Sequence, residues 1–249
     1  SASDLAAYTI VNKDFETLGT NYTTALTTYP GTQAGILMTT ATADQDQAIL
    51  LPHLDTNQSA WAKVLWGTEN QVEWECSINL AATDNQKVWA GLKLTNDQLP
   101  QTDADQAYFY YASDATNGQL IDDYSPWYFI YSVNGTDYLT NTGISVAAST
   151  NYHLKISIDS DRKPSIFING VQKSVSTSAI TAFDGSTSVT GTTQATIAAN
   201  YSATNANTQK GAAMKNDIDL IPYIGIEAGD GAAEALNVHY TAISRHVFE

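Results

Sequence analysis

The sequence predicts an all-β protein, an antiparallel sandwich in a single domain, and three observations carry that prediction. Tyr152, Leu154, Ile156 and Ile158 alternate with His153, Lys155, Ser157 and Asp159, a period of two that gives a strand one buried face and one wet face. Val72, Trp74, Cys76, Ile78 and Leu80 alternate in the same way with Glu73, Glu75, Ser77 and Asn79. Asn134-Gly135 and Asn169-Gly170 each follow a strand pattern and suit tight turns at positive φ. Hardly any helical period is found between these segments.

Taken in order, residues 1–30 are weakly patterned and read as an N-terminal arm or a first strand pair, around Tyr8–Val11 and Tyr22–Leu26. Ile36–Thr42 and Ala48–Leu51 predict two strands, the second ended by Pro52. After Val72–Leu80 comes Val88–Leu94, with Val88, Ala90, Leu92 and Leu94 on one face and Gly91 marking a close approach or a bulge. Gln106–Tyr111 and Trp127–Val133 are aromatic strand patterns, followed by Asp137–Leu139 and Thr142–Val146. Tyr152–Asp159 then turns through a polar stretch ending at Pro164 into Ser165–Ile168. Residues 174–216 break the pattern. This Ser/Thr/Ala-rich stretch is too long for an ordinary connection and reads as an insertion that a partner orders. Asp217–Glu227 and Leu236–Ser244 restore the strands, the latter with Leu236, Val238, Tyr240 and Ala242 on one face. Strand pattern on both sides of the insertion is needed to complete one core, so residues 1–249 form one domain.

Charge narrows the partners. The chain of 249 residues has 26 acidic and 11 basic side chains, net −15. A phosphate-binding partner wants a basic face, so neither nucleic acid nor an anionic membrane is expected. No apolar run is long enough to span a bilayer, and the first residues lack the basic and apolar regions of a signal peptide. The one cysteine, Cys76, allows no intrachain disulfide and falls on an apolar strand face, where it reads as a small buried hydrophobe.

Chemistry-bearing patterns are weak. Glu73 and Glu75 share a strand face and form the best carboxylate pair for a glycosidase, but any wet face carries such residues. None of His53, His153, His239 and His246 lies in a nucleophile motif or at metal-ligand spacing. Asp103/Asp105 and Asp217/Asp219 lack the spacing of a calcium loop and read as solvated turns. Asn-x-Ser/Thr at Asn21, Asn57, Asn134 and Asn200 is frequent by chance in this composition. No catalytic residue, metal or cofactor is therefore expected. Trp61 and Trp66 lie in a Gly- and Asn-flanked stretch; with Trp89 and Trp127 they are the candidate stacking faces for a glycan, against the plainer reading that they seal a β core.

The segments VEWECSINL, VWAGLKL, AYFYY, YHLKISIDSDRKPSIFINGVQ and LIPYIGIEAGDGAAEALNVHYTAIS together resemble the concanavalin A-like lectin/glucanase superfamily, in its laminin-G-type form found in bacteriophage virion proteins. The strand–turn–strand ending at Phe167–Val171 carries the likeness, which spans residues 72–244. The resemblance implies a jelly roll. The Glu-x-Asp-x-x-Glu strand of its glucanase branch is missing, since Glu73-Trp-Glu75 runs on into Cys-Ser-Ile. The expectation is a non-enzymatic virion structural protein (a capsid decoration, cement or head-fibre component), made in the host cytoplasm, with capsid proteins and further copies of itself as partners and a trimer as the guess. The alternative is a lectin-like module for a host surface polysaccharide.

Overall fold

The computed structural model describes residues 15–27, 34–52, 66–95, 103–113, 125–180, 208–229 and 231–246. Fourteen strands occur among them: β1 (Phe15–Thr20), β2 (Tyr22–Thr27), β3 (Gly35–Thr40), β4 (Gln47–Pro52), β5 (Glu73–Leu80), β6 (Gln86–Lys93) and β7 (Gln106–Ala112). They continue with β8 (Pro126–Val133), β9 (Thr136–Ser145), β10 (Asn151–Ile158), β11 (Pro164–Ile168), β12 (Val171–Lys173), β13 (Ile221–Ala228) and β14 (Ala235–Ser244). One short 3-10 turn at Thr68–Asn70 is the helical content described. No helix among the described residues is long and apolar enough to cross a membrane.

The strands form two seven-stranded sheets, here A and B. Sheet A has the order β1-β4-β13-β6-β7-β8-β9 and sheet B the order β12-β11-β10-β5-β14-β3-β2. The described pairings between strands are antiparallel. Alternate residues of the two sheets meet in one core: Trp74, Cys76, Ile78, Leu154 and Ile156 from sheet B face Val88, Ala90, Phe109, Trp127, Phe129 and Ile224 from sheet A. The antiparallel sandwich expected from the alternation is present. Cys76 is fully buried, and burial first, then the nearby charge of Glu75, pushes its thiol well up.

Three departures from the sequence reading have local causes. Residues 15–27, read as part of an arm or of a first strand pair, are strands of both sheets: the segment around Tyr22–Leu26 is β2, paired with β3, and β1, paired with β4, was not expected. The expected strand at Tyr8–Val11 lies outside the described residues. The two short strands expected at 137–139 and 142–146 are one strand, β9; Gly143 at φ +69 absorbs the register irregularity opposite Pro126 and Tyr128, and its N–H is held by Asn141 Oδ1. In β14 a bulge between Val238 and Tyr240 shifts the alternation by one residue. Leu236 and Val238 point into the core, but Tyr240 and Ala242 leave the face they were expected to share with them. Thr241 takes the inward place and accepts a hydrogen bond from Trp74 Nε1 at 3.1 Å.

The insertion expected at 174–216 is anchored at both ends. Tyr131 Oη donates to the Ser176 carbonyl and accepts from the Ala212 N–H, each at 2.8 Å. Arg162 and Met214 exchange a backbone hydrogen bond and an Nε–carbonyl bond, and Met214 is buried in the core. Lys210 pairs with Asp159 at 2.7 Å on the β10–β11 turn. Residues 181–207, the middle of the insertion, lie outside the described residues.

Candidate functional site

Sheet B keeps the expected wet face: β5 and β10 alternate buried with partly exposed positions. Sheet A does not. β4, β7 and β13 are buried at every position, so both faces of this sheet are enclosed. Its outer face is the richest collection of aromatic and buried polar side chains in the protein outside the main core.

Strand register builds that face in rows. The first is polar: Ile221, Lys93, Gln106, Ser132 and Asp137 lie side by side across five strands. Behind it run Tyr223, Gly91, Tyr108, Ile130 and Leu139. A third row holds Ile49, Gly225, Trp89, Tyr110, Tyr128 and Asn141. The fourth is polar again, with Gln47, Glu227 and Lys87. The apolar members form a second core with Ile180, and Leu18 packs against it. Gly91 and Gly225 are the low points of the grid: a Cβ on Gly225 would strike the Trp89 indole, which therefore lies across it.

The polar ends are wired internally. Gln106 Nε2 donates to Ser132 Oγ at 3.1 Å, and Ser132 Oγ donates to Asp137 Oδ1 at 2.6 Å. Lys93, 1% exposed, stands 4.6 Å over the Tyr223 ring and 3.9 Å from Asp103 Oδ2. Asp103 also accepts from the N–H groups of Leu94 and Thr95 and from Thr95 Oγ1. Asp105 accepts from the Asn134 N–H at 3.0 Å. Of the acids read as solvated turns, Asp103 and Asp105 are thus buried and tie loops to the sheet end, whereas Asp217 and Asp219 are exposed as expected. At the far end Glu227 binds Lys87 at 2.7 Å and Gln47 Nε2. Three polar atoms of this face, Trp89 Nε1, Tyr108 Oη and Gln106 Oε1, are buried with no hydrogen-bond partner among the described residues. Burial first, then Tyr110, Asp137 and Asp103, pushes the Tyr108 phenol well up, so it is a neutral donor.

Two of the four candidate tryptophans, Trp89 and Trp127, are enclosed. Trp127 is 0% exposed in the main core and Trp89 1% exposed in the second core, so neither offers a face to a glycan. Trp66 packs against the main core, and Trp61 lies outside the described residues. Only register brings Tyr108, Tyr110, Tyr128 and Tyr223 together on this face; the glycines within aromatic strands at 91 and 225 are the signal for it in the sequence.

The candidate acid pair sits on the open face of sheet B. Glu73 Oε1 accepts from Ser157 Oγ at 2.9 Å and meets Lys155 Nζ at 3.1 Å, while Glu75 Oε2 lies 3.3 Å from His153 Nε2. Partial burial alone would raise the Glu73 pKa, but the hydrogen bonds from Ser157 and Lys155 outweigh it and lower it. Two carboxylates on one strand, each engaged by its cross-strand neighbour, do not flank a bond to be cleaved. Among the described residues no group of three or more His, Cys, Asp and Glu is placed to hold a metal ion.

Glu234, before β14, is 4% exposed, and its carboxyl is pushed up to about 7 by burial and then by the charge of Asp84. The unfolded chain ionises near the ordinary 4.5 while the folded one keeps its proton to about 7. Its stabilising contribution is therefore complete below pH 4.5 and falls as pH rises towards 7. Glu234→Gln, which imitates the protonated form, is expected to stabilise the protein above pH 7 and to be nearly neutral below 4.5; melting temperatures across that range check it.

No protein-family model matches the chain, and no curated protein does. Solved structures do. The carbohydrate recognition domain of Emp46p, in its potassium-bound form, superposes with a TM-score of 0.51 at 6% identity over 94% of this chain and 90% of that one. An alginate lyase A1-II′ variant superposes at 0.52 and 11% identity over 94% and 95%. The cellulose-induced protein Cip1 gives 0.50 at 9% identity over 93% and 91%. These are similarities of fold, and the fold is the concanavalin A-like jelly roll that the sequence resembles.

Proposed function

We propose that the protein is a non-catalytic structural subunit of a bacteriophage virion, a capsid decoration, cement or head-fibre component that works by assembling with its own copies and with capsid proteins. The observation that carries this reading is the filling of sheet A's outer face. An open aromatic sheet face would be a platform for sugar rings; here Trp89, Tyr108, Tyr110, Tyr128 and Tyr223 are buried and cluster with Ile180. A sheet buried on both faces stiffens the sandwich. The pairing of Glu73 and Glu75 with Lys155 and His153 supports the non-catalytic part.

A glycan-binding module is the second reading, and one observation favours it. Trp89 Nε1, Tyr108 Oη and Gln106 Oε1 have no partner among the described residues and lie on one face, and a hydroxyl-rich ligand would satisfy all three once that face was uncovered. Two of the similar structures carry names that concern glycans, a carbohydrate recognition domain and an alginate lyase. Light scattering with and without calcium, run beside a glycan array, decides between the readings. A defined oligomer with a blank array is the expected result. A monomer that binds a glycan saturably, and loses that binding in Tyr108→Phe, overturns the assembly reading.

A further inference from the structure

A sheet edge displays unpaired N–H and C=O groups, and proteins guard such edges with charge, bulges, short strands or covering chain. Three of the four edges here are guarded. β1 carries Glu16 and the positive-φ Gly19. β9 is covered in part by the 174–180 stretch, through the Tyr138–Ala179 bridge and the Ile180 N–H donated to the Asp137 carbonyl. β12 is three residues long and ends in Lys173.

β2 has none of these devices among the described residues. Its sequence, YTTALT, contains no charge, proline or glycine, and no residue of it has positive φ. One side pairs in unbroken register with β3, from Tyr22 opposite Thr40 to Thr27 opposite Gly35. Its other side pairs with no described residue, and Thr23, Thr24 and Ala25 are exposed. Charge selects the partner. At net −15, copies of this chain repel one another over most of their surface. β2 and its neighbour β3, GILMTT, form a corner without a single acidic or basic side chain, where two copies approach at least cost. Threonine on both sides of the join suits cross-strand pairing.

We infer that β2 is a self-association edge: a second copy adds its own β2 antiparallel to this one, so that sheet B runs continuously through both. The contact is isologous, which makes the basic unit a two-fold dimer, not the trimer expected from sequence. This inference rests on the assembly reading above and names its contact.

The test is the solution mass of the whole chain and of four variants. Wild type is expected at twice the chain mass. Ala25→Lys and Ala25→Glu place like charges across the join and are each expected to be monomeric, with unchanged circular dichroism. Their equimolar mixture is expected to regain the double mass, because opposite charges then face one another. Thr136→Lys, exposed on the β9 edge, is expected to leave the dimer intact. An oligomer that persists in both Ala25 variants overturns the assignment to β2 and leaves the assembly reading standing; a monomeric wild type overturns both. If an Ala25 variant loses its fold, Thr24→Cys replaces it. A short bis-maleimide is then expected to link two native chains through position 24, the buried Cys76 staying unreactive, and failure to link them counts against the edge.

Discussion

Trp127→Ala is expected to lower the free energy of unfolding by about 3–5 kcal/mol, the range for deleting a large aromatic from a packed core. Trp127 projects from β8 into the space between the sheets and is completely buried. The Tyr111 ring of its own sheet stands 5.9 Å away, and the Tyr152 ring of the opposite sheet meets it edge-on at 5.7 Å. Tyr152 cannot follow into the cavity. Its hydroxyl accepts from the Ala147 N–H and donates to the Ser145 carbonyl, which pins the ring at the sandwich rim. Trp127→Phe is expected to cost less, because it keeps part of the ring and removes an Nε1–H that has no partner among the described residues. Urea unfolding measures both, as a fall in midpoint at unchanged m. A glycan-stacking Trp127 would behave in the opposite way, with stability unchanged and ligand binding lost.

Sheet B was legible in the sequence because each of its main strands carries its own record of inside and outside. In β5 and β10 the alternation gave the core face directly, and the register then set Lys155 opposite Glu75 and Ser157 opposite Glu73. Sheet A left no such record. Its strands read AYFYY, WYFIY and IPYIGI, near-continuous apolar runs that mark burial on both faces. Reading Val88–Leu94 as one-sided set Trp89 and Lys93 on a wet face, whereas both are enclosed. The grid on that face spans six strands, from β4 to β13, so no short motif announces it. β1 escaped for a local reason: FETLGT has no strong alternation, and Gly19 is needed because a Cβ there would strike the Gln47 carbonyl of β4. The bulge at Val238/Tyr240 is likewise silent in sequence, and it alone reversed the side on which Tyr240 was expected.

Gly225→Ala is expected to destabilise by about 1–3 kcal/mol, the usual cost of overpacking a closed core, and to do so through a single side chain. The new Cβ would lie closer than 3.0 Å to three atoms of the Trp89 indole, Cε2, Cζ2 and Nε1. Gly225 has no positive φ, so alanine suits its backbone and the whole cost is the displaced ring. Trp89→Ala alone is expected to cost about 3–5 kcal/mol by leaving a cavity. In that background Gly225→Ala meets no ring, and its methyl enters vacated space. The double variant should therefore be more stable than the sum of the singles by about 1–3 kcal/mol, a coupling that a double-mutant cycle reads directly. Gly91→Ala is the contrast. Its Cβ would strike the Ala107 carbonyl and the Tyr108 Cα, which belong to the backbone of β7, so no trimmed side chain relieves it and β6 must part from β7. Rescue at 225 without rescue at 91 shows the outer face of sheet A to be filled by its own aromatic rings. Equal, unrescued losses at both positions mean that the indole does not lie across Gly225, and a face open at that point returns the glycan reading to first place.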